Sequence, residues 1–211
     1  MIFIKDDLIP QIKNEFAILT GPVKLVFFTQ EMECQFCRET RTLLEELKSL
    51  TDKFTLEVYD FILDKQKVEQ YKIDKIPALV VEGKKDYGIR FFGIPAGYEF
   101  SSLVEACIAA STGDSGLLPE SRAALKTLTR PLQVKVFITL TCPYCPQVVQ
   151  LANQMAVESD LVTSEMIEAA EFPQLANKYG IMGVPKAIIN ETLVIEGAVP
   201  EPEFIKRILQ G

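Results

Sequence analysis

The pattern Cys-x-x-Cys occurs twice in this chain, as Cys34-Gln35-Phe36-Cys37 and as Cys142-Pro143-Tyr144-Cys145, with the second copy 108 residues after the first. The same offset of 108 places Tyr71 over Tyr179, Ile73 over Ile181, Ile76 over Val184 and Pro77 over Pro185. Each proline follows the first cysteine of its copy by 43 residues. Upstream, Val26 and Phe28 lie over Val134 and Val136 in apolar runs. Near the ends of the copies the offset falls to 104, with Gly93 over Gly197, which a shorter hairpin in the second copy explains. Self-similarity at one fixed offset marks a duplicated structural unit. The 211 residues therefore divide into two units of one design.

The division falls in Ser111-Thr112-Gly113-Asp114-Ser115-Gly116, small and polar with Pro119 just beyond, and gives units at 1–115 and 116–211. So short a linker implies that the units pack together. Their patterns read alike. In the first, Val23–Thr29, Phe54–Asp60, Ala78–Glu82 and Gly88–Phe92 read as strands, and Cys37–Leu50, Lys65–Tyr71 and Tyr98–Ala110 as helices. In the second, the strands are Val134–Leu140, Leu161–Glu168, Ala187–Asn190 and Leu193–Glu196, and the helices Tyr144–Glu158, Phe172–Lys178 and Glu201–Leu209. Asp6–Phe16 and Glu120–Thr127 add a helix at the start of each unit. The result is an α/β layout made twice, each unit a central mixed sheet flanked by helices.

The chain has no histidine, which removes Ser-His-Asp and Cys-His catalysis and zinc sites that use His. Its 29 acidic against 22 basic residues, a net charge of −7, argue against nucleic acid or an anionic membrane as partner. No apolar run approaches the roughly 18 residues of a membrane span. Met1–Gln11 lacks the basic, apolar and small-residue regions of a secretion signal, so a cytoplasmic location is expected.

Chemistry then rests on cysteine. On this reading the first cysteine of each pair follows a buried strand and opens a helix. Free backbone N–H groups and the positive end of the helix dipole stabilise a thiolate there, below the free value of about 8.5. Cys34 and Cys142 are the expected attacking thiolates, and Cys37 and Cys145 the thiols that resolve the mixed disulfide. A four-cysteine zinc site is the alternative, usually with about 15–20 residues between its pairs. Here 104 residues separate Cys37 from Cys142 and each pair sits in its own unit, so no metal is expected. A static staple is disfavoured, since so small a loop contributes little chain entropy. Either proline alone reads as a strand-entry residue, but the equal spacing points to cis Ile76-Pro77 and Val184-Pro185 bonds beside the cysteines. The backbones of Ile76 and Val184 are then placed to pair with an extended substrate segment, with Pro77 and Pro185 completing that surface.

Strand, C-x-x-C, helix, then X-Ile/Val-Pro before a hairpin resembles the thioredoxin fold, twice over. Thr141–Cys145 is similar to the glutaredoxin motif, and Tyr179–Pro185 to the corresponding stretch of thioredoxins. The tandem arrangement resembles the glutaredoxin-like protein disulfide oxidoreductases of thermophilic archaea and bacteria, across essentially the whole chain. The resemblance implies reduction, oxidation and isomerisation of protein disulfides through two redox-active disulfides with no other cofactor. It also implies a thioredoxin-reductase-like flavoprotein as electron donor. A homodimer is the expected assembly. Nothing identifies a glutathione site, so protein disulfides are the expected substrates.

The chain departs from the thioredoxin pattern at Phe28 and Val136, where thioredoxins carry a buried acid six residues before the cysteines. Asp60 and Glu168, matched at the offset of 108, are candidates to take the proton of Cys37 or Cys145, although solvent-facing strand ends are the commoner reading of charged residues at such positions. Glu33 precedes Cys34 where Thr141 precedes Cys142, and a nearby carboxylate opposes thiolate formation, so Cys142 is expected to be the more acidic. Cys107 reads as a buried structural thiol, and Asn190-Glu191-Thr192 as turn chemistry rather than a glycosylation site. Two rival readings stay open. One is a one-site relay in a peroxide-reducing system, because tandem units of this kind also form the amino-terminal part of alkyl hydroperoxide reductase flavoproteins, which keep a single C-x-x-C. The other is a zinc-binding or chaperone-like module without turnover.

Overall fold

The structure, a computed structural model, describes residues 3–210. The first half contains α1 (Ile9–Glu15), a 3-10 turn (Phe16–Ile18), β1 (Val23–Thr29), α2 (Cys37–Lys48), β2 (Phe54–Asp60), α3 (Lys65–Tyr71), β3 (Ala78–Glu82), β4 (Asp86–Phe92) and α4 (Glu99–Thr112). The second contains α5 (Pro119–Leu125), β5 (Leu132–Ile138), α6 (Cys145–Glu158), β6 (Val162–Glu168), α7 (Pro173–Lys178), β7 (Lys186–Ile189), β8 (Leu193–Glu196) and α8 (Glu201–Gln210). Every expected element is present, with boundaries moved by a few residues. Among the described residues no helix is long and apolar enough to cross a membrane.

β1 shows how the layers arise. Side chains alternate along a strand, so Leu25 and Phe27 enter one apolar cluster while Val26 and Phe28 enter the other, on the opposite face. All four are fully buried, so both faces of the sheet must be covered. On α2, Leu43, Leu44 and Leu47 supply the matching apolar stripe. Asn190 and Glu191 sit at φ of 47° and 67° in the tight turn between β7 and β8, in keeping with the turn reading.

The two expected sheets are one. Eight strands run in the order β2-β1-β3-β4-β6-β5-β7-β8, and the halves join through β4 and β6, paired in parallel with Ile89–Phe92 against Ser164–Ile167. The sequence shows why. Ile89, Phe91, Met166 and Ile167 are all completely buried. Separate half-sheets ending at β4 and at β6 would each leave a row of unpaired backbone groups and these side chains at a free edge. β4 has seven residues whereas its counterpart β8, a free edge, has four, and this shortening is where the repeat offset slips. Both apolar clusters contain residues of both halves. Two polar ties cross the junction as well. Lys85 pairs with Asp160, and Lys75 lies 3.5 Å from the centre of the Phe92 ring with its Nζ 3.7 Å from the Glu165 carboxylate.

A shared sheet and shared clusters make the halves one cooperative unit. Denaturant unfolding followed by two probes, one in each half, is expected to give a single coincident transition. Phe91→Ala, in the junction strand, should lower stability by about 3–5 kcal/mol and move both probes together. Two separate transitions would show that the junction does not couple the halves.

Candidate redox centres

Strand direction gathers the chemistry on one edge of the sheet. β1, β4, β6 and β5 run the same way, while β3 and β7 run opposite to them. The C-terminal ends of β1 and β5, from which both C-x-x-C loops leave, therefore lie on the same edge as the N-terminal ends of β3 and β7, which Pro77 and Pro185 precede. β1 and β5 are four strand intervals apart, which at about 4.8 Å per interval puts the centres about 19 Å from one another along that edge.

In each centre the two cysteines are disulfide-bonded, with Cα atoms 5.5 Å apart. The helices begin at Cys37 and Cys145, at the start expected for the first and one residue after that for the second, so the first cysteine of each pair precedes its helix and does not open it. Phe36 and Tyr144 are the capping residues, so Cys34 and Cys142 sit in the turn that leads into the helix, still at its N-terminal end. The outer cysteine is the more accessible at both centres. Cys34 is half-buried against 3% exposure for Cys37, and Cys142 is 8% exposed against 0% for Cys145. The Ile76-Pro77 and Val184-Pro185 bonds are both cis, as the spacing led us to expect. Both hairpins are anchored alike: Gly93 N–H donates to the Pro77 carbonyl at 3.0 Å, and Gly197 N–H to that of Pro185 at 2.9 Å.

The two centres differ on the flank away from the prolines. β2 is an edge strand, and beside it a cavity of about 550 Å³ opens onto Cys34, Cys37, Arg38, Arg41 and Asp60. Asp60 thus shares a cavity with the buried cysteine of the first centre. Its Oδ1 accepts the N–H groups of Ile62 and Leu63, both at 2.8 Å. β6 is interior, and the corresponding flank of the second centre is occupied by the connection from β4 to α4. There Tyr98 N–H donates to the Leu140 carbonyl at 3.2 Å, two residues before Cys142. Gly97, at φ +60°, lies so close that a Cβ would overlap that same carbonyl oxygen. Glu168, the counterpart of Asp60, is buried against this connection. Its Oε2 accepts Glu171 N–H at 2.7 Å, and burial pushes its pKa up against the pull of the Glu171 and Ala170 N–H groups. Exposed apolar side chains flank both centres: Met32, Ile62 and Leu63 by the first, Tyr98, Tyr144 and Met182 by the second.

Two acids were not singled out from the sequence. Glu99 opens α4, the helix that packs along α6, and is completely buried with neither carboxylate oxygen hydrogen-bonded. Burial pushes its pKa up to about 7. The signal was available, since Glu99 stands four and eight positions before Leu103 and Cys107, on the apolar face of its helix. Glu171 is the second. It accepts Ile94 N–H at 2.7 Å and is likewise raised to about 7, by burial and by the nearby charges of Glu168 and Glu39. Cys107 is fully buried and its thiol raised by that burial, as a structural thiol would be.

The thioredoxin domain family matches residues 132–210, the second unit. The solved structure of a protein disulfide oxidoreductase from Aeropyrum pernix K1 superposes with a TM-score of 0.91 at 30% identity, covering 99% of this chain and 94% of that one. The alkylhydroperoxide reductase AhpF from Enterococcus faecalis also gives a TM-score of 0.91 at 30% identity, covering 98% of this chain and 100% of the solved one. Among curated relatives, the alkyl hydroperoxide reductase of the same kind from Pseudomonas aeruginosa is 30% identical over 201 residues, 95% of this chain. The chain spans about a third of the length of the curated relatives it matches, 36% in that instance.

Glu99 generates a pH prediction. Its pKa in the folded protein exceeds the ordinary 4.5, so the folded state holds its proton more tightly than the unfolded state does. Protonated Glu99 therefore favours folding at low pH, and this contribution is lost as pH rises from about 4.5 to about 7. Glu99→Gln should flatten that slope and raise stability at pH 8 relative to wild type by about 3 kcal/mol. Urea titrations at pH 5 and pH 8 measure it, and parallel wild-type and variant slopes would refute it.

Proposed function

We propose that this chain, which belongs to the thioredoxin-fold protein disulfide oxidoreductases, exchanges disulfides with protein substrates at both of its centres. The observation that carries the reading is the duplication itself: two C-x-x-C disulfides on one sheet edge, each with an outer cysteine more exposed than the inner one and an X-Pro step alongside.

In the reducing direction the thiolate of Cys34 or Cys142 attacks one sulfur of the substrate disulfide. That S–S bond breaks, the other substrate sulfur leaves as a thiolate, and a mixed disulfide joins enzyme and substrate. Cys37 or Cys145, deprotonated, then attacks the outer cysteine sulfur. The second substrate thiol is released and the enzyme is left in the disulfide form. Two electrons have passed from the enzyme dithiol to the substrate. Oxidation of a substrate dithiol is the same sequence reversed; in isomerisation the first step is followed by attack of a different substrate thiolate on the substrate sulfur of the mixed disulfide, so that a new substrate S–S bond forms and the outer cysteine leaves as a thiolate. Extended substrate backbone pairs with Ile76 or Val184, while the exposed Met, Ile, Leu and Tyr side chains flanking the centres receive apolar segments. A thioredoxin-reductase-like flavoprotein restores the dithiols, and no cofactor beyond the two disulfides takes part.

The step that needs a base is deprotonation of the inner cysteine. Asp60, in the same cavity as Cys37, is the acceptor we propose at the first centre. Glu168 holds the matched strand end at the second centre, and we propose it for Cys145. Asp60→Asn should slow release of the mixed disulfide at Cys34 by about tenfold or more and alter its pH profile. Glu168→Gln supplies the parallel reading at Cys142. Release rates unchanged across pH in both variants would remove both acids from the mechanism.

One observation favours a second reading, an electron relay through a single centre to a peroxide-reducing partner: the similarity to the alkylhydroperoxide reductase AhpF over nearly the whole chain. Insulin-disulfide reduction with dithiothreitol separates the two. On the two-centre reading, Cys34→Ser and Cys142→Ser each retain part of the turnover and the double variant loses all of it. Full turnover in Cys34→Ser with none in Cys142→Ser would establish the one-centre relay. No turnover in the wild type would leave a binding module.

A further inference from the structure

Lys75 stands two residues before Pro77, in the connection from α3 to β3. Its side chain is only 12% exposed, unusual for a lysine unless its charge is answered. Three groups answer it. Nζ lies 3.5 Å from the centre of the Phe92 ring, 2.7 Å from Asp74 Oδ1 and 3.7 Å from Glu165 Oε2. The Asp74 side chain is 76% exposed, so water screens that pair and it contributes little. Phe92 and Glu165 are buried. Phe92 ends β4 in the same half, and Glu165 belongs to β6 in the other half.

One oxygen of Glu165 is left for this lysine. Its Oε1 accepts a hydrogen bond from Gln133 Nε2 at 2.6 Å, whereas its Oε2 is buried with no hydrogen-bond partner. Arg90 stands opposite Glu165 in the β4–β6 register, but its guanidinium goes to the Asp86 carboxylate, at 2.6 and 2.8 Å. Among the described residues, Lys75 is the one cation within 4.0 Å of the Glu165 carboxylate. A buried carboxylate needs such a partner, and here meeting that need draws in the segment that carries Ile76 and Pro77.

The second centre has no equivalent. The offset of 108 puts Gly183 at the place of Lys75. Gly183 is exposed, and nothing lies within 4 Å of where a Cβ would stand. The cause is the sheet order: β4 is interior and has β6 beside it, whereas its counterpart β8 is a free edge with no strand beyond it to supply a carboxylate.

We propose that Lys75 is a positioning residue of the first centre: clasped by Phe92 of its own half and Glu165 of the other, it fixes the Ile76-Pro77 step in the arrangement that receives an extended substrate segment. The Val184-Pro185 step lacks this clasp and adapts to the segment it meets. An edge fixed in advance loses less freedom on binding than a loose one. The first centre therefore holds a peptide substrate the more tightly, and does so through a residue of the opposite half. This rests on the reading above, in which substrate backbone pairs with Ile76 and Val184.

The test uses single-centre forms of the full chain. Cys142→Ser with Cys145→Ser isolates the first centre, and Cys34→Ser with Cys37→Ser isolates the second. With dithiothreitol as donor, each form reduces a fluorogenic peptide disulfide and, separately, hydroxyethyl disulfide, which has no backbone to pair. At the first centre Lys75→Met, which keeps the apolar stem and removes the charge, should raise KM for the peptide by about fivefold or more with kcat nearly unchanged, the mark of lost binding. Lys75→Arg should recover most of that loss. Glu165→Gln, which still accepts from Gln133, should give the same split in smaller measure. Hydroxyethyl disulfide at the first centre, and both substrates at the second, should keep their wild-type kinetics. A damaged fold would slow all four reactions together, so the split itself separates positioning from instability. If Lys75→Met fails to fold, Glu165→Gln, nearly the same in shape as the wild type, decides. An unchanged peptide KM in the deciding variant overturns the inference, as does a rise shared by hydroxyethyl disulfide or by the second centre. A first centre that never turns over removes the two-centre reading and this inference together. Two active centres without a selective rise remove this inference alone.

Discussion

The parallel pairing of β4 with β6 is the contact on which the rest of the molecule depends. It turns two four-stranded sheets into one of eight and buries Ile89, Phe91, Met166 and Ile167. It also sets direction: because β4 and β6 run parallel, β1 and β5 do too, and both C-x-x-C loops emerge on one edge. An antiparallel junction would have sent the two centres to opposite edges. That both C-x-x-C disulfides lie on a common edge of the sheet thus follows from a pairing remote in sequence from either of them.

The same pairing makes equal copies unequal. It converts β4 and β6 into interior strands and leaves their counterparts β8 and β2 as free edges. At the first centre the β2 flank is open, and the cavity there is lined by Asp60 together with Cys34 and Cys37. At the second, the β4–α4 connection fills the equivalent space, and the acids found there, the buried Glu99 and Glu168 and the partly buried Glu171, are held toward their neutral forms. The difference between centres therefore owes as much to what packs beside them as to the residues between their cysteines.

Much of this was legible in the sequence. The repeat, the element order and the cysteine and proline positions all follow from short-range patterns: strand runs such as Val23–Thr29, helical spacing such as Leu43, Leu44 and Leu47, and one constant offset. The cis bonds at Pro77 and Pro185 were readable only because the spacing occurs twice. What was not legible is what depends on the docking of the halves. No local pattern says that β4 seeks β6, although the seven-residue β4 against the four-residue β8 is a trace of it. Asp60 and Glu168 looked equivalent because the offset matches them, yet one lines a cavity and the other supports a neighbouring connection. Glu171 carried no signal at all, because the Ile94 amide that it accepts is distant in sequence.

Each disulfide closes a loop between cysteines only three positions apart. A crosslink that short removes little freedom from the unfolded chain, and the bulk of the stability lies in apolar clusters that both halves share. Opening either disulfide therefore leaves the scaffold standing, and the molecule can pass through its redox cycle at nearly constant shape. The same independence bears on inheritance. Either cysteine pair can be lost to mutation while the fold survives, so a duplicated chain of this kind is free to shed one centre and keep that half as the platform on which the other is held.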